Sequence, residues 1–263
     1  MVRADYHVHS YFSDDSIEPM ENSIIQAINN NFDEICFTEH VDYGVKSDMN
    51  CPYFFYFREG NRLKKKYEDK IKVKLGIEFG VQKEYIKQYE DDFAKYDFDF
   101  VIMSNHQQDN LESWTYDFQR GKTQEEYTRQ YYEAILDCVK LYKNYSVLGH
   151  LDLIKRYDSY PHYPDEKLKD ILSDILKIVI ADGKGIEVNT SSFKYGLDDL
   201  TPSRYILELY YNLGGKIITI GSDSHKCDRI GDHFDEVIEV LKEIGFKEIY
   251  TFDKMQAIAH RIG

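Results

Sequence analysis

The chain is poor in the features that mark several protein classes. Its 263 residues include only five prolines and one tryptophan, and no internal repeat, low-complexity run or Pro/Ser-rich linker divides them, so a single domain over residues 1–263 is expected. No apolar stretch approaches the length needed to cross a bilayer, which leaves no candidate membrane helix. The first residues, Met1-Val2-Arg3-Ala4-Asp5, lead directly into a strand pattern without a basic and apolar leader, and the expected location is the cytoplasm. Four cysteines, Cys36, Cys51, Cys138 and Cys227, form no C-x-x-C pair. That spacing argues against a zinc ribbon or a redox motif and agrees with a reducing compartment. Cys36 and Cys138 sit in apolar surroundings and are expected in the core. Basic residues are also in deficit. A formal net charge of −14 repels a nucleic-acid backbone and suits a small substrate that carries a cationic group.

What the chain does contain is an alternation of strand-like and helix-like segments from end to end, the signature of βα units around a mainly parallel sheet. Strand patterns cover Asp5 to His9, 34–38, 71–77, 98–104, 146–149, 185–189 and 216–221. Helical patterns cover 18–31, with Ile24, Ile25 and Ile28 on the inward face, then 124–142, 165–181 and 232–244, and a short tail closes the chain. Pro19 suits a first helical turn. The aromatic segment Pro52 to Phe57 and the polar segment Gln107 to Lys122 both follow strand ends, and are expected as active-site loops or lids.

Each of the seven strand patterns ends in a polar or ligand-type residue, and in parallel α/β folds sites form at the carboxyl ends of the strands. His7 and His9 are two residues apart on one strand, so their imidazoles point to the same side while Val8 faces away. Asp14 and Asp15 follow in the next turn and offer the oxygen ligands that divalent ions accept beside nitrogen. Collected over all strand ends, the candidates are His7, His9, Asp15, His40, Glu78, His106, His150, Asp223 and His225. Six of the nine histidines thus fall at one end of the expected sheet, and His162, His233 and His260 remain as ordinary scatter. An isolated His-x-His establishes little, but this concentration points to a metal cluster.

His7-Val8-His9, Thr38-Glu39-His40, Gly76-Ile77-Glu78, Asn105-His106, Gly149-His150 and Ser222-Asp223-Ser224-His225, in that order, resemble the polymerase-and-histidinol-phosphatase (PHP) superfamily. Within it, Asp5 to Ser16, the Phe37-to-Asp42 turn and the overall length look most like the histidinol-phosphatases of histidine biosynthesis. The resemblance implies a distorted (β/α)7 TIM-like barrel, a single-domain α/β fold, holding three divalent metals, with zinc, manganese and iron all compatible with mixed histidine and carboxylate ligation. Carried over, His7, His9, Glu78 and Asp223 hold the first ion, and Glu78 bridges to a second completed by His106 and His150. Asp15, His40 and His225 hold the third, with Asp14 as the alternative to Asp15. The implied reaction is hydrolysis of L-histidinol phosphate to L-histidinol and phosphate by a metal-bridging hydroxide. Glu78, Asp223 and His225 serve the chemistry, Asp223 exchanging a proton with the nucleophile or leaving group. Arg156 and Arg204 resemble the family's phosphate-contacting arginines, and Asp42, Glu112 or Glu187 are candidates to receive the substrate ammonium.

Three other readings compete. A PHP phosphoesterase acting on nucleotides or a nucleic-acid end is disfavoured by the acidic charge. An amidohydrolase shares His-x-His, but a lysine often bridges its metals where this chain offers Glu78. A non-catalytic remnant would have lost ligands, whereas all nine positions here carry competent side chains.

Overall fold

The protein is described here from a computed structural model covering residues 1–263. Its strands are β1 Ala4–Val8, β2 Glu34–Phe37, β3 His40–Val41, β4 Lys72–Leu75, β5 Ile77–Gly80, β6 Val101–Ser104, β7 Gln107–Gln108, β8 Leu111–Glu112, β9 Val147–Leu148, β10 Gly185–Asn189, β11 Ile218–Gly221, β12 Glu248–Asp253 and β13 Gln256–Arg261. Its α-helices are α1 Met20–Asn29, α2 Tyr53–Lys66, α3 Ile86–Lys95, α4 Gln124–Leu141, α5 Lys169–Ala181, α6 Ser191–Tyr195, α7 Arg204–Asn212 and α8 Phe234–Ile244.

Parallel pairing runs β1-β2-β4 in one sheet and β3-β5-β6-β9-β10-β11 in another. The pairs β2/β3 and β4/β5 are each one strand broken near its middle, so the two sheets continue one another. From β11 the ring returns to β1 through a single parallel bridge, Val8 to Ser224. There the His9 N–H donates to the Ser224 carbonyl at 2.9 Å and the Ser224 N–H to the His7 carbonyl at 3.3 Å. The result is a seven-stave α/β barrel, distorted by its two breaks and joined at the seam by this one bridge.

The breaks and one bulge decide which side chains enter the barrel. Between Asp5 and Val8 the β1–β2 register shifts, and an extra residue of this kind switches the face that the following side chains occupy. Ala4 and Tyr6 therefore join a small apolar cluster with Cys36, Phe100 and Phe252, Val8 joins the larger outer core, and His7 and His9 enter the upper barrel. The outer core lies between the barrel wall and the helices, and α4 and α5 contribute Ile135, Val139, Ile171, Leu172 and Ile175 to it. Thr123 opens α4 with a capping box to Glu126, which satisfies two of the N–H groups left over at a helix start.

Several local expectations change. Helix α1 buries Met20, Ser23, Ile24 and Ala27, while Ile25 is 43 % exposed, because it falls outside the buried stripe that those four positions trace along one face of the helix. Pro52 to Phe57 is not a loop: Pro52 precedes α2, and Tyr56 is fully buried with its hydroxyl on the carbonyls of Phe37 and Gly76. The segment Gln107 to Lys122 is irregular apart from the short β7–β8 pair. The C-terminal tail is the antiparallel hairpin β12–β13. Phe252 packs with Tyr6 and Phe100 in the lower barrel, and the Phe252 N–H donates to the Tyr6 hydroxyl at 2.7 Å. Cys36 and Cys138 are buried, and all four cysteines are free. No helix is long and apolar enough to cross a membrane.

Candidate metal centre

Glu78 stands in the middle of β5 and is completely buried. Its two oxygens face different histidines. Oε2 lies 3.1 Å from His7 Nε2 and 3.5 Å from His9 Nε2, while Oε1 lies 2.8 Å from His150 Nε2 and 3.2 Å from His106 Nε2. Asp223 Oδ1 completes the first group, 3.7 Å from His7 Nε2 and 3.5 Å from His9 Nε2. A third group gathers around Asp15, whose Oδ2 is 3.0 Å from His225 Nε2 and 3.5 Å from His40 Nε2. The β3–β5 register sets His40 beside Glu78, with His40 Nδ1 only 3.0 Å from Glu78 Oε2. His9 is stacked between His40 and His225, at centroid distances of 4.2 and 4.3 Å. All nine strand-end candidates therefore converge on one mouth of the barrel.

The backbone bends to make this possible. After β11 the chain enters the left-handed region at Asp223, φ 53°, which an aspartate tolerates better than most residues, and within two residues both Asp223 and His225 turn into the mouth. Asp5 secures the same loop by accepting from the Ser222 N–H at 2.9 Å and the Gly231 N–H at 2.8 Å. Gly80 leaves room for the Asp42–His106 pair, since a Cβ at that position would overlap the Asp42 carboxylate.

Four of the six imidazoles are also held from behind. Glu187 pairs with His7 Nδ1 at 2.6 Å and Asp42 with His106 Nδ1 at 2.8 Å. Ser13 meets His9 Nδ1 at 3.1 Å and itself donates to Glu39 at 2.6 Å, and His225 Nδ1 donates to the Asp223 carbonyl at 3.0 Å. These bonds fix which nitrogen remains for a ligand. Of those remaining, Nε2 of His7, His9 and His225 is buried without a hydrogen-bond partner, as is Glu78 Oε2. Unpartnered buried polar atoms are costly, and four sets of three histidine or carboxylate side chains from this cluster converge closely enough to share an ion. The residues present thus fit divalent cations.

The electrostatics of the cluster point the same way. Burial alone would lower His7 and His40, but the surrounding carboxylates, Glu78 above all for His40 and Glu187 for His7, outweigh it and raise both well above the ordinary imidazole range. Burial likewise works against His106, yet Asp42 and Glu78 raise it to about 9. His9 goes the other way, to about 3, through burial and the neighbouring His40 and His225. Burial would raise Glu78, but His7, His106 and His40 hold it well below the usual carboxylate range. Without cations, the carboxylates are balanced by protons on some of these imidazoles. Divalent ions would take over that role.

Other expected residues divide. Asp14 turns away and accepts from Lys46 Nζ at 2.8 Å, so Asp15 is the one that faces the histidines. Arg156 reaches the mouth: its Nη2 donates to Asp223 Oδ2 at 3.0 Å and to Asn189 Oδ1 at 3.3 Å, and also to the Ser191 hydroxyl, with Tyr195 stacked 4.6 Å away. Arg204 does not reach it. It starts α7 on the surface, paired with Glu208 and Glu243 at 3.0 and 2.8 Å, because its side chain points along the outer face of the barrel. Of the three candidates for a substrate ammonium, Glu187 has both oxygens engaged below the cluster, and Glu112 does not line the mouth. Asp42 does. A cavity of about 290 Å³ opens over the cluster, walled by Asp42, Lys46, Trp114, Arg156, Lys194 and Tyr195. Lys46 and Trp114 lie in loops, and Lys194 and Tyr195 in α6 just after β10; a place shortly after a strand end is the only signal that the sequence carries for them.

This barrel, with a histidine-and-carboxylate cluster at the carboxyl ends of its strands, defines a class, and the chain belongs to it: the PHP domain family model matches residues 5–191. A histidinol-phosphatase of Lactococcus lactis subsp. lactis (strain IL1403) is 37% identical over 268 residues, covering 97% of this chain and 96% of that protein. A protein of Clostridium acetobutylicum named "Probable histidinol-phosphatase" is 31% identical, covering 95% and 96%. Among solved structures, histidinol phosphate phosphatase from Lactococcus lactis subsp. lactis Il1403, complexed with zinc, L-histidinol and phosphate, superposes with a TM-score of 0.91 at 35% identity and covers 97% of this chain and 98% of its own.

Proposed function

We propose that this chain is a metal-dependent phosphomonoesterase that hydrolyses L-histidinol phosphate to L-histidinol and phosphate, acting in histidine biosynthesis in the cytoplasm. The observation that carries the reading is the division of Glu78, with one oxygen toward His7 and His9 and the other toward His106 and His150. The relatives' names, and the histidinol and phosphate in the related zinc structure, support the substrate.

In this reading three divalent ions, of zinc, manganese or iron, are held as follows. His7, His9, Glu78 and Asp223 would hold one, Glu78, His106 and His150 the next, and Asp15, His40 and His225 the last. Bound ions acidify water near neutral pH and neutralise charge on phosphate oxygens. The chain's own groups do the rest. Glu78, kept ionised by the imidazoles around it, bridges the two halves of the cluster. His225 has its Nδ1–H fixed on the Asp223 carbonyl, so its Nε2 is the atom presented to the mouth. Arg156 directs its planar guanidinium at phosphate oxygens as negative charge shifts to the leaving group, and its bond to Asp223 orients that carboxylate. Asp223, which lines the cavity, exchanges a proton with the nucleophile or the leaving alcohol. Asp42 is the carboxylate in reach of a substrate ammonium, and Glu187 and Glu112 are not. Arg204 takes no part.

The test is steady-state hydrolysis of L-histidinol phosphate after chelation and reconstitution with each metal, beside a panel of nucleoside monophosphates. The proposal expects metal-restored turnover with a preference for L-histidinol phosphate. Metal-restored turnover that favours the nucleotides would reassign the substrate.

A further inference from the structure

Glu187 lies at the centre of β10, is 1 % exposed, and has one ionic partner, His7. A buried carboxylate is expensive unless its oxygens are hydrogen-bonded. Here both are. Oε1 lies 2.6 Å from His7 Nδ1, and Oε2 accepts from the His150 backbone N–H at 2.9 Å and from Asn189 Nδ2 at 3.2 Å. The space it occupies is kept open by a glycine at the neighbouring strand end: a Cβ on Gly221 would overlap both Glu187 Oε1 and the His7 side chain. With Nδ1 taken, His7 has only Nε2 left, buried and unpartnered, and it is directed at Glu78 Oε2 and Asp223 Oδ1.

We infer that Glu187 is a positioning residue that serves both halves of the cluster. One oxygen locks His7 in the Nδ1–H tautomer, so that Nε2 is the ligand. The other holds the backbone of His150, which belongs to the opposite side of Glu78. One carboxylate thereby sets the relative placement of two imidazoles 143 positions apart in the chain, one on β1 and one just after β9. Glu187 touches neither substrate nor ion. The inference rests on the metal centre proposed above.

The test compares zinc uptake by the chelated wild-type chain and by Glu187→Gln and Glu187→Asp, titrated in a chelator-buffered zinc series. Glutamine keeps the shape but cannot accept from His7 Nδ1–H and the His150 N–H at once. Aspartate keeps the charge but loses a methylene of reach. Zinc binding is expected to weaken about 10–100-fold in Glu187→Gln and by less in Glu187→Asp, with secondary structure by circular dichroism unchanged. Folded Glu187→Gln with wild-type zinc affinity would overturn the inference and leave the metal centre standing. Wild-type protein that takes up no zinc, manganese or iron would overturn both. A second measurement needs no variant: nitrogen-15 imidazole spectra of the wild-type zinc form, with His7 assigned. A protonated Nδ1 on His7 is expected, and a protonated Nε2 would refute the assignment even if the variants fail to fold.

Discussion

Arg156 Nη2 donates to Asp223 Oδ2 at 3.0 Å, and both side chains are almost fully buried at the cavity floor. The guanidinium therefore approaches the site already oriented, with its carboxylate partner, two further oxygen acceptors and the Tyr195 ring fixing its plane. Removing it as Arg156→Ala is expected to lower kcat/KM by about 10²–10³-fold while metal content stays unchanged. Arg156→Lys recovers little, since a point charge cannot reproduce the fork. Arg204→Ala, on the outer surface, leaves kcat/KM unaltered. Steady-state kinetics with elemental analysis of the same samples checks all three, and a loss in Arg204→Ala would return that residue to the phosphate site.

The adjacent acids Asp14 and Asp15 should behave differently. Asp15 faces His225 and His40, whereas Asp14 is paired with Lys46. Asp15→Asn is expected to lower bound metal and turnover together, and Asp14→Asn to keep the metal complement. Elemental analysis of dialysed protein decides the matter. Metal loss in Asp14→Asn alone would reverse the assignment.

A chelated sample should show a pH dependence of stability that metal reverses. His106, raised from the ordinary 6.5 to about 9, gives the metal-free fold a contribution that is complete below pH 6.5 and lost as pH rises through 9. His9, lowered to about 3, gives one that is present above pH 6.5 and lost as pH falls through 3. The chelated protein should therefore lose Tm between pH 6.5 and 9. A metal needs neutral imidazole, so the rise in Tm on adding zinc should grow over the same interval. Differential scanning calorimetry at several pH values, with and without zinc, reads both trends. A gain from zinc that shrinks above pH 6.5 would contradict the account.

The lower end of the barrel can be loosened without touching the mouth. Phe252, 3 % exposed, packs on Tyr6 and Phe100. Phe252→Ala is expected to cost about 3–5 kcal/mol, seen as a lower urea midpoint, with the number of bound ions unchanged. An undiminished midpoint would show that the hairpin is not part of the core.

What could be read from sequence follows from how each feature is encoded. His7 and His9 announce themselves through strand alternation, and Glu78, His106 and His150 through their place at the ends of apolar runs. The breaks after Phe37 and Leu75 leave no pattern, so Glu78 reads as a strand terminus although it lies within β5. Arg204 and Arg156 look alike in sequence, because the direction of a side chain depends on what packs beneath it. The hairpin β12–β13 escapes because its turn residues, Lys254 and Met255, both adopt positive φ without the asparagine or glycine that normally signals such a turn. Asp42 and Glu187 were visible as acids. That each is paired with a histidine nitrogen required the register that brings strands from distant parts of the chain together.

The most direct measurement is diffraction from zinc-reconstituted crystals on either side of the zinc absorption edge. Anomalous peaks are expected on both sides of Glu78, roughly 3.5–4 Å apart, one against His7, His9 and Asp223 and the other against His106 and His150. A map with no anomalous density at either Glu78 oxygen, in protein that hydrolyses L-histidinol phosphate, would contradict the account.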